Sequence, residues 1–293
     1  MALADAPRIP ALINRRAGTA AEARDALGLS GAFDVHEVEP DAIATTIHDL
    51  VHAGARRVLV AGGDGTIATA AAALLETPAE LAIVPGGTLN HFARDLGIST
   101  VAAEAVELAA STGVRAVDVG MVNGRVFLNT SSVGGYVRFV RTRENLERSF
   151  GYRLASAFAA IRMLFSVRRM GVEIDIDGRK QIFRTPLVFI GVGERELQFP
   201  VLGKRVADGR RGLHVMVIRG RSGGRLLAIG LLAIIRGLDA VSRSGHFDTI
   251  IVDRLRITMQ GGGYAALDGE VIVLETPLEY ELRRDALSVV CPP

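Results

Sequence analysis

Three short segments of this chain carry residue types whose spacing suits phosphate chemistry. The first is Gly62-Gly63-Asp64-Gly65-Thr66, placed directly after the apolar run Val58–Ala61 and ahead of a helical pattern. Glycines at a strand end let the backbone turn sharply and leave N–H groups pointing outward, and the following helix adds a partially positive N-terminus. Together these make an anion site. The Asp64 carboxylate repels bare phosphate, so it fits such a site only against a metal ion held between phosphates, a hydroxyl or an amide; a plain turn with Asp64 capping the helix is the alternative. The second segment, Pro85-Gly86-Gly87-Thr88-Leu89-Asn90, follows the run Leu81–Val84 and leads into a helical pattern from His91. Thr88 and Asn90 supply neutral hydrogen-bonding groups near that helix start. Two such turns at adjacent strand ends predict one shared cleft. The third segment, Ala266-Leu267-Asp268-Gly269-Glu270, sets two carboxylates around a glycine between β-rich runs, and taken alone it reads as a hairpin turn with solvated acids.

The elements that must position these residues follow from periodicity. Over the first 120 residues, strand-like runs at Ile9–Ile13, Val35–Val38, Val58–Ala61 and Leu81–Val84 alternate with helical patterns at Ala20–Leu27, Asp41–Ala53 and Ile67–Leu75. That alternation predicts a parallel sheet covered on both faces, with ligands at its carboxyl edge. After Val114 the character changes. Asn123-Gly124 between Ala116–Val122 and Val126–Thr130, and Asp177-Gly178 between Val172–Ile176 and Gln181–Ile190, are hairpin signals. Further β-rich runs lie at Leu213–Ile218, Ile250–Met259, Val271–Leu274 and Leu278–Leu282, interrupted by helical patterns at Tyr152–Val167 and Gly224–Val241. The expected fold class is α/β plus β. An N-terminal doubly wound α/β domain takes residues 1–120, and a C-terminal, mostly antiparallel, sandwich-like β domain takes residues 121–293, with the last residues able to return to the first domain.

Composition narrows the function classes. The chain has 293 residues, 49% of them apolar and 23% charged, which suits two globular domains. Its single cysteine, Cys291, excludes an internal disulfide and fits a reducing, cytoplasmic setting. The start, Met1-Ala2-Leu3-Ala4-Asp5-Ala6, lacks the pattern of a signal peptide, and the apolar run Leu226–Ile235 is about half of what a membrane span needs. Net charge is +2, yet only Lys180 and Lys204 are lysines, and no P-loop sequence is present. A phosphate site here must therefore work without a P-loop lysine. Gly63-Asp64-Gly65-Thr66-Ile67-Ala68 also fits a dinucleotide fingerprint, but the next strand ends in Pro85-Gly86 where that fold needs an acid for the ribose. His48 and His52 imitate a zinc-helix spacing without the glutamate base, so no metal is expected there. The arginine-rich, aromatic segment from Arg138 to Arg169 suits either an anionic bilayer or a solvated helix face. No nucleic-acid-binding signature accompanies it.

Taken in order, Gly62-Gly-Asp-Gly-Thr66, Pro85-Gly-Gly-Thr-Leu-Asn-His-Phe-Ala-Arg94 and Leu267-Asp-Gly-Glu270 resemble the motifs of the diacylglycerol/sphingosine lipid kinase family. Asn14-Arg-Arg-Ala-Gly18 resembles that family's opening loop, with Arg15 in place of a proline; Val117-Asp-Val-Gly120 and Phe127-Leu-Asn129 resemble the segment joining its two domains. The resemblance implies an NAD-kinase/diacylglycerol-kinase-like fold with ATP and Mg²⁺ in an interdomain cleft. It implies a nucleotide site of Asn14, Gly62, Gly63, Asp64, Gly65, Thr66, Gly87, Thr88 and Asn90. Glu270 then matches the proton acceptor for the lipid hydroxyl, Asp64, Asp118 and Asp268 match acidic positions near phosphates and magnesium, and Asp64 and Asp118 are the metal candidates. The implied partner is a lipid at a membrane surface, met by a cytoplasmic protein at the inner face. His91 stands where the family has an aspartate, and an imidazole does not replace a metal-linked carboxylate. Two alternatives stay open: a kinase of a soluble substrate akin to NAD kinases, and a non-catalytic lipid or nucleotide binder.

Overall fold

The computed structural model describes residues 8–134, 170–185, 187–198, 201–218, 247–259 and 263–293. The helical patterns at Tyr152–Val167 and Gly224–Val241, the arginine-rich segment and Gly261-Gly262 lie outside the described residues. The chain divides into two compact units, Met1–Val119 with Arg283–Pro293, and Gly120–Leu282.

In the first unit, strands β1 (Ile9–Asn14), β2 (Phe33–Val38), β3 (Arg57–Gly62) and β4 (Glu80–Pro85) form a parallel sheet in the order β2-β1-β3-β4. Its helices are α1 (Ala20–Gly28), α2 (Ile43–His52), α3 (Asp64–Leu74), α4 (His91–Asp95) and α5 (Ala102–Ala109). Helix α1 packs with α5, and α2 with α3. Residues Val58–Gly62 and Leu81–Pro85 are buried throughout, as central parallel strands covered on both faces must be. Where a single helix over Asp41–Ala53 is expected, a 3₁₀ turn at Pro40–Ala42 precedes α2, because Pro40 sets the first turn. Helix α3 begins at Asp64 rather than Ile67: Gly63, extended at φ −79° and ψ 179°, ends the strand, and the glycine turn is itself the first helical turn.

The second unit is built from antiparallel strands: β5 (Val114–Val122), which begins in the first unit, β6 (Arg125–Phe127), β7 (Thr130–Gly134), β8 (Met170–Ile176), β9 (Arg179–Thr185), β10 (Leu187–Val192), β11 (Arg195–Gln198), β12 (Val201–Arg205), β13 (Leu213–Ile218), β14 (Phe247–Val252), β15 (Arg254–Met259), β16 (Gly263–Leu267), β17 (Glu270–Leu274) and the start of β18 (Leu278–Val290). One sheet runs β14-β13-β10-β7-β16-β17; facing it are β18, β15, β8 and β9, with β5 and β6 beside β18. Val133, Val188, Ile190 and Val215 of the first sheet share one buried cluster with Val172, Ile174, Ile257 and Leu278 of the second. This is sandwich packing. Tyr280 is buried among them; its hydroxyl pairs with Ser131 Oγ at 2.9 Å and its ring meets Phe127 edge-on at 6.1 Å.

Two expected strands are each two strands in different sheets. Gln181–Ile190 breaks after Thr185, whose hydroxyl accepts from Leu187 N and donates to Leu187 O, into β9 and β10. Ile250–Met259 turns a corner at Asp253 into β14 and β15. A third, Val126–Thr130, divides at Leu128-Asn129 into β6 and β7. Strand β18 continues well past Leu282, and its Ser288 and Val289 pair in parallel with Glu80 and Leu81 of the first unit.

Candidate active site

Three loops at the carboxyl edge of the parallel sheet touch one another. Asn14, the last residue of β1, donates from Nδ2 to Thr66 Oγ1 at 2.7 Å, and its Oδ1 accepts the Arg16 N–H at 2.9 Å. The first loop is thereby tied to the glycine turn after β3. Thr19, at the end of the same loop, lies against the second glycine turn: a Cβ on Gly86 would sit 2.6 Å from Thr19 Oγ1. The two glycine turns meet backbone to backbone. Gly86 N–H donates to Gly62 O at 2.7 Å, and a Cβ on Gly87 would lie 2.8 Å from the Gly63 Cα. No side chain fits there. Gly62 is equally constrained, since a Cβ would fall 2.5 Å from the Thr66 methyl.

Around this contact, Gly63, Asp64, Gly65 and Thr66 are half-buried and Thr88 is exposed. Ile67 N–H is bonded to Gly63 O, so the N–H groups of the residues before it open α3 without a carbonyl behind them. Asn90, expected in the nucleotide site, is buried and hydrogen-bonded within its own loop. Its backbone is left-handed, at φ 49° and ψ 46°. Its Oδ1 accepts the Gly87 N–H at 2.8 Å while Nδ2 donates to Gly87 O at 2.7 Å. The amide therefore closes the second loop on itself and shapes the turn from within. Asp118, on β5, is buried and accepts the Asp285 N–H at 3.0 Å. Among the described residues, no three or more His, Cys, Asp or Glu side chains gather as a metal cage. Magnesium needs only one or two carboxylates beside phosphate oxygens. N–H groups, the Thr66 and Thr88 hydroxyls and the Asp64 carboxylate therefore fit a polyphosphate with its divalent cation. Arg15 and Arg16, exposed on the first loop, pair with Glu37 and Glu39 at 3.2–4.0 Å.

In the second unit, Asp268 and Gly269 form the two-residue turn between β16 and β17, both with positive φ (46° and 93°), and Leu267 pairs with Glu270 across it. Asp-Gly is the sequence such a turn favours. Glu270 is exposed and has no hydrogen-bond or ionic partner among the described residues. Asp268 is held by backbone N–H groups of Leu128, Asn129 and Thr130. Those donors, and the Thr19 contact to Gly86, escape sequence reading: backbone amides leave no mark in residue types.

Residues 9–122 match the family model of the diacylglycerol kinase catalytic domain. A Bacillus subtilis (strain 168) "Diacylglycerol kinase" is 34% identical over 128 residues, 42% of this chain and 41% of that one. Over its first unit the chain is similar to the diacylglycerol kinases. A Pseudomonas fluorescens (strain Pf0-1) "Probable lipid kinase YegS-like" is 28% identical over 258 residues, 84% of this chain and 79% of that one. The fold agrees with that of a diacylglycerol kinase from Bacillus anthracis str. Sterne, at TM-score 0.73 and 24% identity, over 98% of this chain and 97% of that one. The segment matching the diacylglycerol kinase domain contains Asn14, both glycine turns, Asn90 and Asp118, while Asp268 and Glu270 lie beyond it. No helix among the described residues is long and apolar enough to cross a membrane.

Proposed function

We propose that this chain is an ATP-dependent lipid kinase that phosphorylates a hydroxyl of diacylglycerol or a related lipid. In this reading Mg-ATP binds at the glycine turns of the first unit and Glu270 is the general base. The observation that carries it is the meeting of the two glycine turns at the carboxyl edge of the parallel sheet, where only hydrogen fits between them. The names of the relatives support the substrate class.

Each group of residues has a defined task. The N–H groups at the start of α3 bind phosphate oxygens, and Asn14 orients the Thr66 hydroxyl beside them. Asn90 fixes the Gly87 peptide so that the second turn keeps its shape. Thr88 offers an exposed hydroxyl to the nucleotide. Glu270, free of partners among the described residues, takes the proton of the attacking lipid hydroxyl. Asp64 and Asp118 are the carboxylates for Mg²⁺, which when bound spreads positive charge over the phosphate oxygens. A lipid substrate places the work at a membrane surface, with the protein on its cytoplasmic side.

Transfer of labelled phosphate from ATP should be measured with diacylglycerol, sphingosine, ceramide and phosphatidylglycerol in mixed micelles, and with NAD in solution. Transfer to a lipid is expected. Transfer to NAD alone would replace this reading with a soluble-substrate kinase, and binding of ATP and lipid without transfer would replace it with a non-catalytic binder. Glu270→Gln should lose about a hundredfold or more in turnover while keeping ATP affinity. Turnover like that of the unmodified chain would remove Glu270 from the chemistry.

A further inference from the structure

The turn that ends in Glu270 is anchored from outside its own hairpin. Asp268 Oδ2 accepts the Leu128 N–H at 2.7 Å, and Oδ1 accepts those of Asn129 and Thr130 at 2.8 and 2.9 Å. In return, Asp268 N–H donates to Thr130 O at 2.8 Å. The donors are the two residues that connect β6 to β7 and the first residue of β7, 138 to 140 residues earlier in the chain. A carboxylate has about four lone-pair sites, and three of these are taken by backbone donors, which leaves little capacity to take a proton or to ligate a metal.

The geometry points to a different task. We propose that Asp268 is a positioning residue that clamps the Glu270 hairpin to the Leu128–Thr130 backbone. Among the described residues, strand β17 is the outer strand of its sheet and pairs with β16. An Asp-Gly turn sets local backbone shape, but past the turn Glu270 stands on the edge strand, which β16 alone holds among the described residues. A general base must stay within about 0.5 Å of its productive position. Four hydrogen bonds from one residue to the neighbouring strand's start remove that freedom two residues away from Glu270. This inference rests on the reading of Glu270 as base, but the clamp itself can be observed without any assay of turnover.

The test uses Asp268→Asn and Asp268→Gly in the full chain. Asn-Gly and Gly-Gly both keep the turn conformation, so the hairpin still forms locally. The asparagine amide turns one acceptor into a donor facing a backbone N–H, and glycine deletes the clamp. Both should lower lipid-kinase turnover about ten- to hundredfold, the weight of a charge-assisted hydrogen bond. KM for ATP and the Mg²⁺ concentration for half-maximal rate should not move. Hydrogen exchange at the amides of Leu128, Asn129 and Thr130 should quicken in both variants. The Asp268→Asn, Glu270→Gln double variant should be no slower than Glu270→Gln alone, since Asp268 acts through Glu270.

A raised Mg²⁺ requirement would overturn the proposal in favour of a metal ligand. So would additive losses in the double variant, or full turnover with the three amides unprotected. If neither variant folds, exchange in the unmodified chain decides: fast exchange at those amides sinks the clamp. Loss of protection in a chain that phosphorylates no lipid would instead retain the clamp and reject the proposed function.

Discussion

Asn90 has the residue type of a ligand-binding side chain, and its position turns that capacity inward onto Gly87. His91, beside it, is exposed at the start of α4. Residue type states what a group can bond, and its surroundings choose the bond. His214 on β13 gives a case that pH can probe. It is buried, and its Nδ1 accepts the Arg195 N–H at 3.1 Å. Burial pushes its pKa below the ordinary 6.5; Glu194 opposes this, while Arg210 and Arg195 add to it. The folded chain therefore keeps His214 neutral at a pH where the unfolded chain has begun to protonate it. The stability this contributes is fully present above about pH 6.5 and is lost as pH falls towards the lower folded value. The urea midpoint should drop from about pH 7.5 to about pH 5.5, and His214→Asn, whose amide oxygen accepts the same N–H without titrating, should shrink that drop. Parallel curves for the two proteins would show that His214 contributes none of it.

At the scale of elements, the contact between the two glycine turns leaves no room for a side chain. A methyl on Gly87 would meet backbone at Gly63, which cannot rotate away as a side chain can. Gly87→Ala should cost about 1–3 kcal/mol and lower the melting temperature by several degrees. It should also raise KM for ATP, because the two loops must part to admit the methyl. Gly31→Ala, where nothing lies within 4 Å, is the matched control and should change neither quantity. Normal KM and melting temperature in Gly87→Ala would mean that the turns do not meet. The strand divisions at Thr185 and Asp253 belong to this scale too. A β-rich run reads the same whether it stays in one sheet or passes to the facing one, since both sheets bury the same residue types.

At the scale of the whole molecule, the chain's last strand is shared. Its first residues belong to the second unit and Arg283–Pro293 to the first, where Leu287, Val289 and Val290 are fully buried beside β4. Each such side chain contributes about 1.5–3 kcal/mol, so together they rival the net stability of a domain. A chain ending at Leu282 should lose hydrogen-exchange protection across β3 and β4. Undiminished protection there would show that the first unit stands without its returning strand.

The sequence by itself determined the parallel α/β unit, its two glycine turns on strand ends, and the Asp-Gly turn before Glu270. These are local matters: periodicity, glycine's backbone freedom and turn chemistry act over a few neighbouring residues. Only the tertiary structure decided that the two turns touch through bare backbone, that Asn90 bonds to its own loop, that Asp268 is gripped by amides from another strand, and that β18 closes the first unit. Each of those pairings joins groups far apart in the chain or uses backbone atoms that every residue has. No pattern of side chains can encode them.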